Sequence, residues 1–546
     1  MRRTAARRAA AFKTGKPKFF QKLGWLPGWV NEFVNQIIKV LRYQRCVRRS
    51  SRPRNMQIAM ATEFPHMPVA APEMRRPSPR GSKVLFVTSE ITDYAQTGGL
   101  GEVSAALPRA LRAMADVRIL IPGYRQVLER IGPVDLVATL PGFGDIPPCA
   151  LGRGATHDGI PVYVVLCGQL YDRPGGLYLD PDSRDWPDND LRFARLSLAA
   201  AEIAAGQGDP NWKPDNLHLN DWPSALAAGY LAWRGVGTPS LLTIHNLAYQ
   251  GVFDRSRLAA LGIPDDAFKV DGVEFYGKLS FLKAGVFYAD HLTTVSATYA
   301  QEITTAQFGC GLHGLLSERS RAGRLTGILN GIDESWDPSH AGHDGDSERW
   351  KGRHADYVRG AFGLALSRGP LFAIVSRLVH QKGVDLAIDA AESIVEQGGQ
   401  LVVTGQGEPR FEDAMRELEL RHRGQVGVRI GFDGQEARAM FAGSDFLLMP
   451  SRFEPCGLSQ MYAQRFGSLP IAHRTGGLAD TIEDGRTGFL FGAPSARHLR
   501  SAVKRAFAIF GSNGQFTEMR RAAMARRFDW SESAERYADL YVNARV

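Results

Sequence analysis

Residues 83–104 read KVLFVTSEITDYAQTGGLGEVS. An apolar, β-branched run leads through a polar segment to Gly98 and Gly99, and a helix-like pattern, GLGEVSAALPRAL, follows. Paired glycines at a strand-to-helix turn let the backbone approach a ligand closely. They also leave the N–H groups of the helix start for phosphate or sugar oxygens. The same four residues, Thr-Gly-Gly-Leu, return at Thr475 to Leu478, again after a strand-like run (SLPIAHR) and before a helix-like one (ADTIED). One copy carries little weight in a chain with 58 glycines. Two copies in the same setting, one in each half, predict two similar domains facing one ligand.

Outward from these loops the pattern repeats. VLFVTS, VRILIP, VYVVLC, NLHLND, SLLTIHN, HLTTVS and LTGILN read as strands in the first half. FAIVSR, QLVVTGQG, VGVRIGF, FLLMPS, LPIAHR and TGFLF do so in the second. Continuous apolar strands separated by helices predict parallel sheets covered on both faces, so each half reads as a doubly wound, Rossmann-like α/β domain. A polar, Gly/Asp/Ser/His-rich segment from Pro338 to Asp346 marks the boundary. In such folds ligands bind beyond the carboxyl ends of the strands.

A chain of 546 residues favours several domains. Its formal charge of +9 is unevenly spread. Residues 1–80 carry 18 Lys/Arg against three acids (Glu32, Glu63 and Glu73), a net of +15, which leaves 48 basic and 54 acidic residues and a net of −6 for the remainder. That body has no electrostatic footprint for nucleic acid. The five cysteines (Cys46, Cys149, Cys167, Cys310 and Cys456) form no C-x-x-C pair, which fits a reducing compartment and argues against a zinc site. No apolar run is long enough for a transmembrane segment.

Within the basic extension, Val30, Phe33, Val34, Ile37, Ile38 and Leu41 share one helical face, the pattern of a membrane-surface helix or an organelle presequence. The favoured reading is plainer: a dispensable extension from an upstream start, since Met56, Met60, Met67 and Met74 all precede the first strand. The expected location is cytoplasmic.

The chemistry-bearing residues gather at strand ends. FAIVSR runs into LVHQKG, which places Arg377 and Lys382 on one loop where two cations could neutralise a departing diphosphate. Two surface charges are the plainer alternative, weakened by Gly383 directly before a helix. FLLMP leads into SRFEPCGLSQ, where Glu454 can accept sugar hydroxyls while Gly457, Leu458 and Ser459 offer N–H groups to phosphate. A capping glutamate is the alternative there. Cys456 reads as a small buried filler, because no histidine partners it in the motif. In the first half SLLTI ends in His245-Asn246, and NLHL ends in Asn220-Asp221. A single histidine at a strand end is more often structural, but Asp and His-Asn over one cleft shift the balance toward carbohydrate chemistry. Asp180 and Asp182, with Asp188 and Asp190, sit in a polar loop and are not favoured as metal ligands. P-loop, nucleophile-elbow and zinc-protease motifs are absent from the sequence.

Taken in order, QTGGLGEVSAALPRAL, LYDRPGGLY, HNLAYQGVF, EFYGKLSFLKAG, TTVSATYAQEI, LNGID, SRLVHQKG, PSRFEPCGLSQMYAQRFG and RTGGLADTIEDG resemble the bacterial glycogen synthase and plant starch synthase family. The resemblance runs from about Lys83 to the C-terminus. It implies the glycosyltransferase-B fold, two doubly wound Rossmann-like domains facing a cleft. The implied domains are residues 83–335, completed by a C-terminal helix over 528–546, and residues 336–527, with 1–82 a basic extension and linker expected to be disordered.

The implied reaction is retaining transfer of glucose from ADP-glucose to the non-reducing end of an α-1,4-glucan, with no cofactor and no metal. By motif position Arg377 and Lys382 would hold the diphosphate and Glu454 the donor glucose. Gly457, Leu458 and Ser459 would face the phosphates, with Gln96, Gly98, Gly99, Glu102, Thr475 and Gly476 in the glycine loops on the donor. His245 and Asn246 would line the glucose pocket and Asp221 the reacting centre. Asn330 would belong to the interdomain segment and Tyr171 would lie toward the acceptor. These motifs do not specify an oligomeric state.

The first glycine motif of this family usually begins with Lys, where this chain has Gln96, and its acid is more often Asp, where this chain has Glu102. Loss of an ammonium beside a diphosphate removes a contact worth roughly 1.5–3 kcal/mol. The alternatives are therefore a glucan-binding or regulatory homologue with weakened catalysis, a synthase using another nucleotide-glucose donor, or a phosphorylase, which shares the fold and carries pyridoxal phosphate.

Overall fold

The computed structural model describes residues 81–343 and 345–543. The readings made of the basic extension lie outside these residues, except that Ser82 already belongs to the first strand.

Eighteen described strands form three sheets. The first is nine-stranded and built from β1 (Ser82–Val87), β2 (Ala115–Pro122), β3 (Asp135–Leu140), β4 (Cys149–Ala155), β5 (Pro161–Leu166), β6 (Asn216–Asn220), β7 (Ser240–Ile244), β11 (His291–Thr294) and β12 (Leu325–Gly327). Its order is β12-β11-β7-β6-β1-β2-β5-β4-β3. Pairing is parallel from β12 to β5, then antiparallel through β4 to β3. A small antiparallel sheet holds β8 (Val252–Phe253), β10 (Lys278–Ser280) and β9 (Glu274–Phe275) in that order. The third sheet contains β13 (Leu371–Val375), β14 (Gln400–Gly405), β15 (Val426–Ile430), β16 (Phe446–Met449), β17 (Leu469–His473) and β18 (Phe489–Phe491), ordered β15-β14-β13-β16-β17-β18 and parallel throughout.

That last order is the 3-2-1-4-5-6 arrangement of a doubly wound fold. The parallel strand order changes direction between β1 and β6 in the first sheet and between β13 and β16 in the second. Crevices form at these switch points because the neighbouring connections leave in opposite directions. The central parallel strands β7, β13, β16 and β17 are buried along their length, which is why their sequences read as unbroken apolar runs. The β3–β4 hairpin and the small sheet gave no such signal. β4 (CALGRGA) carries two glycines and an arginine, and the strands of the small sheet are two or three residues long.

The helix Ser531–Asn543 returns to the first sheet. Trp530, Ala534, Tyr537, Ala538 and Tyr541 pack with Val84 and Phe86 of β1 and with Val103, Leu107 and Leu111 of the helix Gly99–Leu111. His218 on β6 bridges Tyr541 Oη and Thr243 Oγ1, each at 2.7 Å. Burial pushes its pKa down to about 3, so it is a neutral, satisfied core residue. On the way back, Ile332 donates its amide to Phe528 O at 2.7 Å and Trp530 lies against Gly331. Two adjacent chain segments therefore connect the halves. Trp336, just past the first of them, stacks on Tyr462 of the second half with ring centroids 3.7 Å apart.

Residues 178–186 make a small loop of their own. Trp186 N–H closes on Tyr178 O, and Asp180 accepts the amides of Asp182 and Arg184.

Candidate active site

Both switch points carry the residues singled out by sequence. In the second half β13 ends at Val375 and the chain turns through Arg377 to Lys382, while β16 ends at Met449 and leads to Glu454. Lys382 Nζ meets Glu454 Oε2 at 2.5 Å, and Ser451 Oγ donates to the same oxygen at 2.9 Å. Glu454 is 5% exposed, and these two partners supply the ion pair and hydrogen bond that a buried carboxylate oxygen needs. Gly457 has a φ of +71°, a left-handed turn that glycine adopts without strain. After it the helix Ser459–Arg465 begins. Cys456 is buried and burial raises its thiol pKa to about 12, as suits a filler rather than a nucleophile.

In the first half Asp221 follows β6 directly. Its φ of +53° lies in the left-handed region, where aspartate is one of the few tolerated residues. The turn aims its carboxylate at the end of β7, where Oδ1 accepts the amides of His245 at 2.7 Å and Asn246 at 3.4 Å. Burial raises its pKa to about 7 against the pull of those two amides, with Glu90 adding to the rise.

His245 Nε2 lies 3.0 Å from Asn220 Oδ1. Asn220 Nδ2 donates to Val87 O, which orients the amide and leaves its oxygen toward the histidine. Nε2 therefore carries the proton, and Nδ1 is left as an acceptor. Burial lowers the His245 pKa to about 3, so the ring stays neutral near pH 7.

Arg377 joins the halves across the cleft. Its Nη1 donates to Tyr249 Oη at 3.3 Å, from the loop that follows His245-Asn246. Desolvation works against the charge, yet Tyr249 and the carboxylates of Glu454 and Glu90 hold its pKa above the ordinary guanidinium value. Arg377, Lys382, Glu454, Asp221, His245 and Asn246 thus occupy facing strand ends of the two sheets.

Several residues fall elsewhere than expected. Tyr171, placed toward the acceptor, is 2% exposed, and its hydroxyl donates to Arg192 O at 2.5 Å. The short helix Gly168–Tyr171 turns the ring inward against Tyr124. At that depth it offers no surface to a glucan.

Thr475 and Gly476 are also corrected. Both are buried, and their polar groups are already taken by Glu302 of the first half. Thr475 Oγ1 donates to Glu302 Oε1 at 2.8 Å, and Gly476 N–H donates to both carboxylate oxygens at 3.1 and 3.2 Å. Gly477 N–H goes to Glu454 O and Pro455 O. This loop backs the Glu454 loop.

The first glycine loop differs. Gln96, Thr97, Gly98 and Gly99 are exposed. Glu90, 4% exposed, accepts the amides of Thr97 at 2.7 Å and Gly98 at 3.0 Å. Glu102 lies behind them, its pKa raised by burial and by the charges of Asp333 and Asp93. Asn330 is buried beside Cys456, and its side-chain oxygen has no protein partner among the described residues. Asp182 and Arg184, Asp188 and Arg173, and Asp190 and Arg257 form ion pairs, which accounts for the aspartates of that polar stretch.

Three residues escaped the sequence reading: Glu90, Tyr249 and Glu302. All lie in or beside quoted motifs, but their importance rests on partners that only the fold brings near.

Residues 83–318 match the family model for the starch synthase catalytic domain, and residues 363–517 match that for glycosyl transferases group 1. The chain is 60% identical over 454 residues to glycogen synthase 1 of Bradyrhizobium diazoefficiens, covering 82% of this chain and 98% of that protein. It is 57% identical over 472 residues to the glycogen synthase of Pseudomonas putida, covering 86% and 91%. Among solved structures, the catalytic domain of starch synthase IV from Arabidopsis thaliana, bound to ADP and acarbose, aligns with a TM-score of 0.75 and 30% identity over 85% of this chain and 99% of that one.

Proposed function

The chain belongs to the starch synthase and bacterial glycogen synthase family, and from that membership we propose that it transfers glucose from ADP-glucose to the 4-hydroxyl at the non-reducing end of an α-1,4-glucan, with retention of configuration. It is a hexosyltransferase of glycosyltransferase-B fold, moving glucose from a nucleotide sugar to a glucan. The observation that carries the finer reading is the facing of Lys382, Glu454 and Arg377 by Asp221 and His245, with the Arg377–Tyr249 contact spanning the cleft.

The donor diphosphate takes the ammonium of Lys382 and the guanidinium of Arg377. Lys382 is then shared or withdrawn from Glu454, whose carboxylate becomes available to the glucose hydroxyls. Donor binding exchanges one ion pair for another, which limits the desolvation cost of leaving either charge alone. Positive charge fixed beside the departing phosphate is the largest catalytic contribution, since it stabilises charge that develops only in the transition state. These two cations perform the neutralisation, so the reading requires no metal and no cofactor.

His245 is neutral with Nδ1 as an acceptor, so it orients a sugar hydroxyl rather than delivering a proton. Glu454, steadied by Ser451, accepts the glucose hydroxyls and takes no role as a nucleophile. The acceptor hydroxyl then attacks on the face the phosphate leaves, through an oxocarbenium-like ion pair. The departing phosphate is the nearest base for its proton.

Among the described residues no helix is long and apolar enough to cross a membrane. Nucleotide sugars do not cross bilayers unaided, and the proposed location is therefore the cytoplasm where they are made.

Purified protein incubated with glycogen and labelled ADP-, UDP- or GDP-glucose tests the reading. Incorporation from ADP-glucose above the others is expected, and glucan binding without incorporation would overturn it. Glu454→Ala should fold and be nearly inactive; parental turnover would remove Glu454 from the site.

A further inference from the structure

The loop that carries Glu454 and the glycine loop packed behind it are also held from the other half of the molecule. Three residues of one short segment, which contains the helix Ala297–Glu302, make these contacts. Ser296 Oγ donates to Pro455 O at 2.5 Å, directly after Glu454. Thr298 N–H donates to Asp480 Oδ2 at 3.0 Å, and its hydroxyl to the other oxygen of that carboxylate. Glu302 closes the set by accepting Thr475 Oγ1 and Gly476 N–H.

Gly476 transmits this hold. Its φ is +43°, and a Cβ there would stand 1.9 Å from Glu454 O, so the glycine backbone lies directly against the main chain of Glu454. Gly477 N–H donates to the same carbonyl at 3.1 Å. A shift of Glu302 therefore moves Gly476, and a shift of Gly476 moves Glu454.

We propose that Glu302 is a positioning residue for glucosyl transfer: through Thr475 and Gly476 it lets the first half of the molecule set the place of Glu454 in the second. The inference rests on the reading of Glu454 as the group that holds the donor glucose. Its consequence is specific. Arg377 and Lys382 hold the diphosphate from loops that Glu302 does not touch, so loss of Glu302 weakens recognition of the glucose and spares recognition of the nucleotide.

The desolvated Glu302 carboxylate lies beside Asp480, and both features raise its pKa, while Thr475 and Gly476 pull it down. The amide of glutamine still accepts at its oxygen, so the contact survives Glu302→Gln.

The test measures, on the full chain, the affinity for ADP and for ADP-glucose separately, together with kcat, for the parent, Glu302→Ala, Glu302→Gln, Thr475→Val and Glu454→Gln. Glu302→Ala should lose about tenfold in its preference for ADP-glucose over ADP and at least as much in kcat, with ADP affinity within about twofold of the parent. Glu302→Gln should recover most of both. Thr475→Val removes the hydroxyl donor while keeping the buried volume, and should fall in the same direction by less; it carries the test if Glu302→Ala does not fold. A parental preference and kcat in Glu302→Ala, or in Thr475→Val where that variant carries the test, with the preference lost in Glu454→Gln, overturns the proposal alone. Parallel loss of ADP and ADP-glucose in Glu302→Ala overturns it too, as general loosening. An intact preference in Glu454→Gln overturns the glucose-holding reading and this inference with it.

Discussion

At Thr97–Leu100 the chain has left β1 ten residues earlier, the glycines are exposed, and Glu90 from the same half holds two amides of the turn. At Thr475–Leu478 the turn follows β17 at once, all four residues are buried, and the carboxylate on its amide comes from Glu302, 174 residues away. Both copies place an acid where an anionic ligand would be expected, because helix-start amides need an acceptor and a protein carboxylate serves. The difference lies in what the glycines do with their missing side chains. In the first copy they leave an open surface. In the second they admit the backbone of another loop. An identical motif can thus be an open loop or a packing joint, and the neighbour that enters the glycine gap decides which.

The sharpest way to break this contrast is Gly476→Ala. The new methyl would meet the Glu454 carbonyl in a backbone region that alanine avoids. Thermal melting should show a loss of at least ~2 kcal/mol, and displacement of Glu454 should lower kcat by about a hundredfold. A variant that melts and turns over like the parent would remove the packing role from the second copy.

Next in size is Gln96→Lys on the exposed copy. If that loop meets the donor diphosphate, an added ammonium should tighten ADP-glucose binding or raise the rate by up to about ten- to a hundredfold, with greater sensitivity to salt. Unchanged steady-state constants would mean that Arg377 and Lys382 already satisfy the phosphates and that the open loop serves another part of the substrate.

A third effect separates the carboxylates at the two switch points. Glu454 is neutralised by Lys382, whereas Asp221 has only amides as partners and no ion pair among the described residues. Its pKa stands at about 7 in the fold, raised by burial from 3.8. Between those two values the unfolded chain has lost a proton that the folded chain keeps, so folding stability falls as pH rises and the full cost is present above pH 7. Asp221→Asn, which tolerates the same left-handed backbone, should flatten that slope. The parent melting temperature should drop relative to the variant between pH 5 and pH 8 by roughly 2–4 °C or more. Parallel profiles would show that Asp221 is ionised at an ordinary pH.

The smallest effect belongs to Gly99→Ala. No atom stands within 4 Å of where its Cβ would be, so stability should change by less than ~0.5 kcal/mol. A large loss of activity with stability intact would show a ligand approaching that glycine closely.

The residues that line the cleft were legible one motif at a time. Arg377, Lys382, Glu454, Asp221 and His245 each sit within a few residues of an apolar strand, and a strand-loop-helix unit is written in contiguous sequence. The alternation of such units also determined the doubly wound sheets, because burial on both faces demands unbroken apolar strands. The β3–β4 hairpin was not legible, since an antiparallel pair rich in glycine lacks that signature. Tyr171 read as an acceptor residue from its motif, yet the fold rotates it under Arg192. The second glycine copy read like the first, and only its contact with Glu302 and with the main chain of Glu454 distinguishes it. Tyr249 bonds Arg377 across 128 residues of chain, a pairing no local pattern encodes. Sequence alone thus determined which loops leave which strand ends, a matter of local burial and backbone freedom. Tertiary structure decided which of those loops face solvent and which face one another, because that depends on how two separately closed sheets dock.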